Sequence, residues 1–308
     1  MNNLSIVMYH YVRPIAGSEF PGIKGLELEG FKRQLDYLEE RYEIICVDQV
    51  VDCLAKGKKL PKNACWLTFD DGYKDHYLHA FPELKRRGLQ GTFFPPSCAV
   101  ENNEVLDVNI LHHVLAVTTD IRALRSELDN MCIEAAIDRQ ALEGFWREHG
   151  VANRFDSAET IYIKRMLQHA LPETLRRDLA KALFTKYVGF EPTDFASTLY
   201  MSKNEIRTLI REGMCVGSHG AKHYWLNRIS TEDQRTDLKK SLMFLEDVGA
   251  STEDWIMCYP FGGYNSETLK ILQDLGSRIG VTTEVRMADL SIDNPLTLPR
   301  FDTNDFPQ

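Results

Sequence analysis

The chain has 308 residues, of which 44% are hydrophobic and 26% are charged, and its formal net charge is −9. This length allows one large α/β domain or two ordinary ones, and the acidic balance argues against a surface that binds nucleic-acid phosphates. The longest apolar stretches are far shorter than the roughly 20 residues of a membrane span, so we expect no membrane span.

The first residues, MNNLSIVMYHYVRP, lack the basic stretch and apolar segment of a secretory signal. The seven cysteines are scattered and none is spaced as Cys-x-x-Cys. This pattern argues against a disulfide framework and against a structural zinc knot. We therefore expect reduced cysteines and a cytoplasmic location.

Strands and helices alternate over the first hundred residues. LSIVMYHYV is typical of a buried strand, and EGFKRQLDYLEERY is typical of an amphipathic helix with Phe31, Leu35 and Leu38 on one face. They are followed by a short helix in VDQVVDCLAKGK, a strand in ACWLTF, a helix in YKDHYLHAFPELKRRG and a strand in QGTFFP. This alternation predicts a parallel sheet with helices packed outside it.

The pattern changes over residues 101–198, where five segments have helical periodicity and none reads as a strand. This stretch is predicted to be a helical insertion or subdomain. The α/β alternation then resumes with a helix that opens on a capping box of Ser202 and Glu205. Strands in MCVGSH, WIMCYPFG, RIGVTT and LTLPRFD alternate with further helices, on one of which Met243 and Phe244 are predicted core residues.

Residues that can take part in chemistry, most of them polar, stand at the carboxyl ends of the predicted strands. In a parallel β/α barrel those ends meet on one face, which is where such barrels carry out chemistry. The residues are His10, Asp70, Asp71, Ser218, His219, Pro260, Phe261 and Arg300.

Two adjacent carboxylates, Asp70 and Asp71, end a segment that reads as a buried strand. They repel each other, and burial makes ionising both more costly; a simple Asp-Gly turn is the alternative explanation. His219 and His223 follow a strand four residues apart, and they are either loop residues in solvent or ligands of a divalent cation whose third ligand is Asp71. Asp70 would then act as general base for a metal-bound water that attacks a carbonyl group.

Four motifs in chain order, TFDDGY, SHGAKH, YPFGGYN and LPRFD, resemble those of the polysaccharide deacetylases, carbohydrate esterase family 4. The opening VMYHYV resembles the subgroup that contains the biofilm poly-N-acetylglucosamine deacetylases. The resemblance covers about residues 4–100 and 199–303. It implies an α/β fold, a deformed parallel (β/α) barrel of about seven strands formed by residues 1–100 and 199–308, with residues 101–198 as a helical insertion.

The resemblance also implies catalytic and metal-binding roles for residues of the first two motifs. Asp70 is expected to be the catalytic base. Asp71, His219 and His223 are expected to bind a single divalent ion, Zn²⁺ first, with Co²⁺, Ni²⁺ or Mn²⁺ as alternatives.

Further roles are implied for the remaining motifs. Arg300 is expected to orient the base, and His10 is expected to act as general acid. Pro260, Phe261 and Gly262 are expected to line the substrate groove, with the Phe261 N–H binding the oxyanion. A core histidine at position 10 and a structural ion pair at position 300 are the alternatives.

The chain departs from the family pattern at two places. The third motif often begins with Arg, whereas Cys258 stands here. The late Leu-x-His motif is absent because His223 is the last histidine of the chain. His10 is therefore the only candidate for the general acid that lies in one of the family motifs. Tyr73 and Trp225 are predicted to be packing residues rather than platforms for a sugar ring.

The predicted function is therefore removal of an acetyl group from an N-acetylated sugar or polysaccharide precursor. The alternatives are hydrolysis of a C–N bond in a non-sugar amide, and a non-catalytic glycan-binding module. The expected partner is the N-acetylated carbohydrate. The helical insertion is expected to supply subsites, a lid, or a contact in a homo-oligomer.

Overall fold

The computed structural model describes residues 2–153 and 156–308. These residues contain eleven strands: β1 (Asn3–Tyr9), β2 (Val12–Arg13), β3 (Leu26–Glu27), β4 (Glu43–Ile44), β5 (Ala64–Asp70), β6 (Gly91–Phe94), β7 (Cys215–Val216), β8 (Ile256–Cys258), β9 (Ile279–Val281), β10 (Ala288–Asp289) and β11 (Phe301–Asp302).

The described residues also contain thirteen α-helices: α1 (Leu28–Arg41), α2 (Val47–Lys56), α3 (Phe81–Arg87), α4 (Ser97–Glu101), α5 (Asp107–Val117), α6 (Ile121–Glu134), α7 (Arg139–His149), α8 (Ala158–Arg165), α9 (Glu173–Val188), α10 (Pro192–Leu199), α11 (Lys203–Arg211), α12 (Thr231–Val248) and α13 (Ser266–Asp274). Single π-helical turns lie at His76–Ala80 and Met166–Ala170, and 3₁₀ turns at Leu226–Arg228, Pro260–Gly262, Pro295–Thr297 and Thr303–Asp305. None of these helices is long and apolar enough to cross a membrane.

Seven parallel strands form a closed ring in chain order. β1 pairs with β5, β5 with β6, and β6 with β7. A single bridge between Ser218 and Met257 continues the ring to β8, which pairs with β9. A second bridge, between Val281 and Leu298, leads to β11, and β11 pairs with β1. The predicted deformed barrel of about seven strands is confirmed, and its short, irregular half runs from β7 to β11.

The long strands of the barrel are buried on both faces, as expected for a parallel sheet covered by helices. Because neighbouring side chains of a strand point to opposite faces, Cys65 and Leu67 of β5 join one hydrophobic cluster and Trp66 joins another. On α12, Phe244 is buried, as predicted, but Met243 is 68% exposed. The core assignment of Met243 is wrong because successive residues of a helix point about 100° apart.

The chain divides into two compact units. The first comprises the described residues up to position 14 and residues 25–104 and 197–308, and it holds the barrel. The second comprises residues 15–24 and 105–196 and is helical wherever it has regular structure in its described part. Its core includes Leu111 and Val114 of α5 and Leu183 and Phe184 of α9.

Candidate metal centre and active site

The Asp70–Asp71 pair ends β5 and starts a tight turn. Asp70 is the last residue of the strand, and Asp71 and Gly72 both have positive φ, 70° and 67°. A Cβ at position 72 would lie 2.6 Å from the Cβ of Pro95, so the turn needs glycine there. The turn and the catalytic interpretations of this motif are therefore compatible, because the turn keeps both carboxylates buried at the carboxyl end of β5.

Two histidines of the loop after β7 converge on one oxygen of Asp71. The Nε2 atoms of His219 and His223 lie 3.2 and 3.3 Å from Asp71 Oδ1. All three side chains are buried, and each offers a ligand atom within 4.8 Å of the other two. Carboxylate oxygen and imidazole nitrogen are common ligands of zinc and of other divalent transition metals.

Neighbouring groups fix the orientation of these three side chains. His219 Nδ1 donates a hydrogen bond to the carbonyl oxygen of Cys258 (2.8 Å), which leaves Nε2 directed at Asp71. The Tyr73 hydroxyl donates to Asp71 Oδ2 (2.6 Å), so Oδ1 is the oxygen that faces the imidazoles. Burial alone would raise the pKa of Asp71, but hydrogen bonds from His219 and His223 hold it well below its usual range. This donor set fits a divalent cation.

Asp70 is held by a buried arginine. Arg300 Nη1 and Nη2 donate to the two carboxylate oxygens of Asp70, each at 2.8 Å. Arg300 is itself fixed by the carbonyl of Thr282 (2.8 Å) and the Thr68 hydroxyl (3.1 Å). Burial alone would raise the pKa of Asp70, but the positive charge of Arg300 outweighs this and lowers it to about 2. Asp70 is therefore ionised near neutral pH, and each oxygen keeps lone-pair capacity for a further proton donor.

His10 follows β1 and lies at the edge of this cluster. Its Nε2 is 4.0 Å from Asp70 Oδ2, and its side chain is 41% exposed. Its carbonyl oxygen accepts a hydrogen bond from Nε2 of the buried His76 (2.8 Å). Burial lowers the pKa of His76 to about 4, so His76 is neutral near pH 7. Because its side chain is half exposed, His10 does not fit the alternative interpretation as a core histidine.

The third motif forms a strained turn beside His223. Phe261 has φ 57°, which is unfavourable for a bulky residue. Its ring stacks on Trp225, with centroids 4.6 Å apart and planes 4° from parallel, and it meets the ring of His223 edge-on at 4.6 Å. Gly262 also has positive φ, and a Cβ there would lie 2.3 Å from Thr283 Oγ1. Pro260 is buried in the same turn.

All nine residues with a predicted role lie in the barrel unit. Contacts of 4.0 Å or less link six of them: His10 and Arg300 to Asp70, and His219 and His223 to Asp71, which follows Asp70 in the chain. Phe261 joins this group through its contact with His223, whereas Pro260 and Gly262 shape the turn around it.

The sequence did not reveal several residues that support the site. Tyr73 is buried, as predicted for a packing residue, but its hydroxyl also orients Asp71. Cys258 contacts Arg300 Nη2 through its sulfur (3.2 Å) and His219 through its carbonyl oxygen. The signal for Tyr73 was its place two residues after Asp71. Cys258 had none, because it stands where the family often has Arg.

Comparison with known proteins places these motifs in a family. The polysaccharide deacetylase family model matches residues 57–131 and 173–280, more than half of the chain. YxkH of Bacillus subtilis (strain 168), provisionally named a polysaccharide deacetylase, is 28% identical over 282 residues, which are 91% of this chain and 64% of that protein. The poly-β-1,6-N-acetyl-D-glucosamine N-deacetylase of Escherichia coli (strain K12) is 29% identical over 85 residues, 27% of this chain and 12% of that protein.

The chain thus spans less than two thirds of the length of either curated relative. Among solved structures, the Streptococcus pyogenes deacetylase PplD in complex with acetate shares the fold with a TM-score of 0.60. The match covers 97% of this chain and 92% of PplD at 18% identity. On the extent of the family-model match, which includes Asp70, Asp71, His219 and His223, the chain belongs to the polysaccharide deacetylase family.

Proposed function

We propose that the chain is a metal-dependent hydrolase that removes the acetyl group from an N-acetylated sugar or polysaccharide precursor. The observation that carries this proposal is the convergence of Asp71, His219 and His223 beside the ionised Asp70. The names of the relatives support it, because one acts on poly-N-acetylglucosamine and PplD binds acetate, the second product of N-deacetylation.

Asp71, His219 and His223 would hold one divalent ion, for which we propose Zn²⁺, with Co²⁺, Ni²⁺ or Mn²⁺ as alternatives. When bound, such an ion supplies Lewis acidity toward a water molecule and a substrate carbonyl. Tyr73 and the Cys258 carbonyl keep the Asp71 oxygen and the His219 nitrogen turned toward one point.

Asp70 is the proposed general base and takes a proton from the attacking water. Arg300 keeps the carboxylate ionised and fixes its plane through two hydrogen bonds. His10 is the proposed general acid and gives a proton to the departing amine nitrogen. Its distance of 4.0 Å from Asp70 and its exposure suit a group that meets substrate at the rim of the site.

Phe261 is proposed to stabilise the oxyanion through its backbone N–H, and the strained φ of this residue is the observation that favours it. Pro260 and Gly262 hold the turn in place, and its stacked Phe261–Trp225 pair offers a partly exposed apolar wall beside His223. A pyranose ring and an acetyl methyl group both suit such a surface. We therefore propose that Trp225 faces the substrate, although the sequence predicted a packing residue there.

Other assignments stay predictions. All seven cysteines lie in the described residues and are free thiols, which supports a reducing compartment and the proposed cytoplasmic location. The helical unit is proposed to be an insertion into the barrel. Substrate subsites, a lid and a contact in a homo-oligomer are its three predicted roles.

Acetate release tests the proposed function. Purified protein is loaded with Zn²⁺ and incubated with oligomeric, lipid-linked and nucleotide-linked N-acetyl sugars and with a non-sugar acetamide, with and without a chelator. We expect acetate from at least one N-acetyl sugar, lost with the chelator and in Asp70→Asn. Acetate from the acetamide alone would indicate a non-sugar amidase. Sugar binding without acetate release from any substrate would indicate a glycan-binding module.

A further inference from the structure

A buried carboxylate of α12 holds the loop that carries both candidate imidazole ligands. Asp237 accepts hydrogen bonds from the backbone N–H groups of Ala221, at 2.9 Å to Oδ2, and of Lys222, at 2.8 Å to Oδ1. Ala221 and Lys222 are two of the three residues that separate His219 from His223. One side chain therefore fixes the segment between the two ligands through hydrogen bonds to its backbone.

A second anchor comes from the same face of α12. Ser241 lies one turn after Asp237, and residues four apart on a helix share a face. Its hydroxyl is 2.5 Å from that of Ser218, and Ser218 Oγ also accepts a hydrogen bond from the Gly220 N–H (3.1 Å). α12 thus holds the loop on both sides of His219.

The backbone of this loop needs such support. Gly220 and His223 both have positive φ, 70° and 54°, and this region is unfavourable for a residue with a Cβ such as His223. A Cβ added at position 220 would lie 2.8 Å from Asp237 Oδ2, so the carboxylate and the loop backbone are already in close approach.

We propose that Asp237 is a positioning residue that pre-organises His219 and His223 for the divalent cation. This inference rests on the proposed metal site, but it does not depend on the substrate or the reaction. An asparagine at this position keeps the shape and one acceptor oxygen, but it presents an NH₂ donor to the second backbone N–H. Loss of a supporting contact around metal ligands typically weakens metal affinity about 10- to 100-fold.

Metal titration tests the proposal without an activity assay. Metal-free wild-type protein, Asp237→Asn and Glu246→Gln are titrated with Zn²⁺ in competition with a chelator. Glu246→Gln removes the same charge from an exposed position of the same helix. We expect Asp237→Asn to bind Zn²⁺ about 10- to 100-fold more weakly and Glu246→Gln to match the wild type. Equal affinity of Asp237→Asn and the wild type would overturn the inference.

Two further measurements cover the other outcomes. Should Asp237→Asn not fold, Ser241→Ala removes the second anchor with a smaller change, and we expect about 2- to 10-fold weaker Zn²⁺ binding; unchanged binding would count against α12 as the support. Should the wild type bind no metal, the proposed metal site fails. Hydrogen exchange at the Ala221 and Lys222 amides then tests the anchor itself. Because asparagine keeps one acceptor oxygen, we expect at least one of the two amides to lose protection in Asp237→Asn, and protection that persists at both amides would overturn the positioning role.

Discussion

The imidazoles of His219 and His223 both approach one carboxylate oxygen of Asp71. Since the proposed site has only these three protein ligands, the loss of any one should strongly weaken metal binding. We expect Asp71→Ala, His219→Ala and His223→Ala each to lose bound metal and activity together. Metal content after dialysis, measured by atomic emission, checks this. His79→Ala serves as the control, since it removes a half-buried histidine on a π-helical turn to which no role is assigned. Full occupancy in one of the three variants would remove that residue from the set.

Asp70 differs from its neighbour because its partner is Arg300 and not an imidazole pair. Asp70→Asn keeps the shape of the side chain and leaves the three proposed ligands in place. We expect unchanged metal content with a turnover lower by about 10²- to 10⁴-fold, the usual contribution of a general base. Steady-state kinetics on the substrate found by acetate release gives the measurement. A turnover near that of the wild type would mean that another group takes the proton.

His10 can be tested by changing the leaving group. An amine must be protonated as it departs, whereas an activated aryl alcohol needs little help. We therefore expect His10→Ala to retain metal, to lose amide hydrolysis by about 10²-fold or more, and to keep most of its activity on an aryl acetate. Equal losses on both substrates would make His10 a positioning residue, and no loss on either would leave it without a catalytic role.

At the scale of elements, helices with end signals were predictable, and very short strands were predictable only where they lie inside a stretch that reads as a longer strand. Ser202 and Glu205 form the capping box expected from the sequence at α11, and Ser230 caps α12 where its periodic pattern begins. Six strands in the described part of the chain have two residues each; β7 and β11 lie inside the predicted strands MCVGSH and LTLPRFD, whereas β2, β3, β4 and β10 were not predicted as separate strands. Two residues by themselves carry no periodicity, and the pairing of these four strands depends on distant parts of the chain.

Arg300 connects two strands of the barrel, because it precedes β11 and pairs with the last residue of β5. The pKa of Asp70 is about 2 in the folded chain and about 3.9 when unfolded, so this pair stabilises the fold above pH 4 and loses its effect as the pH falls toward 2. In Arg300→Met the buried carboxylate has no guanidinium partner, and burial raises its pKa instead. We expect a loss of about 3–5 kcal/mol in unfolding free energy at pH 7.

The sign of the pH dependence is the sharper part of this prediction. The difference in unfolding free energy between wild type and Arg300→Met should shrink from pH 7 to pH 4, because Asp70 in the variant loses its unpaired charge by taking up a proton. Urea unfolding in the presence of a chelator measures it. Arg286→Met is the matched control, since Arg286 donates two similar hydrogen bonds to Asp293 at the surface. We expect this substitution to lower the unfolding free energy by about 1 kcal/mol or less. A constant or growing difference at low pH would contradict the expected ionisation of Asp70.

For the molecule as a whole, the sequence predicts the barrel and its strand order because each long strand is a buried run followed by a helix. It does not predict how the ring closes, since two of the closing contacts are single bridges at Ser218 and Leu298. It also does not predict that residues 15–24 belong with the helical unit. This segment has no helix or strand, and it is tied to the unit by contacts such as that of Phe20 with His113, whose rings lie 5.0 Å apart.

The helical unit offers a test of its own role. Between α6 and α7 it contains a cleft of about 530 Å³ whose lining includes Trp146 and the exposed Arg139 and Arg147. If this unit binds part of a long substrate, Arg139→Ala combined with Arg147→Ala should raise KM about tenfold for an oligomeric N-acetyl sugar and leave kcat and Zn²⁺ affinity unchanged. A monomeric N-acetyl sugar occupies only the site at which the acetyl group is removed, so its KM should not change.

The control and a measurement of mass separate the remaining roles of the unit. Arg122→Ala removes an exposed arginine of α6 that does not line the cleft, and its kinetics should match those of the wild type. Sedimentation velocity on the same proteins reports the oligomeric state. Unchanged kinetics on every substrate together with a change in mass would make this surface an assembly contact. A fall in kcat for oligomer and monomer alike would instead indicate a lid, because closure of a lid affects every substrate that reacts beneath it.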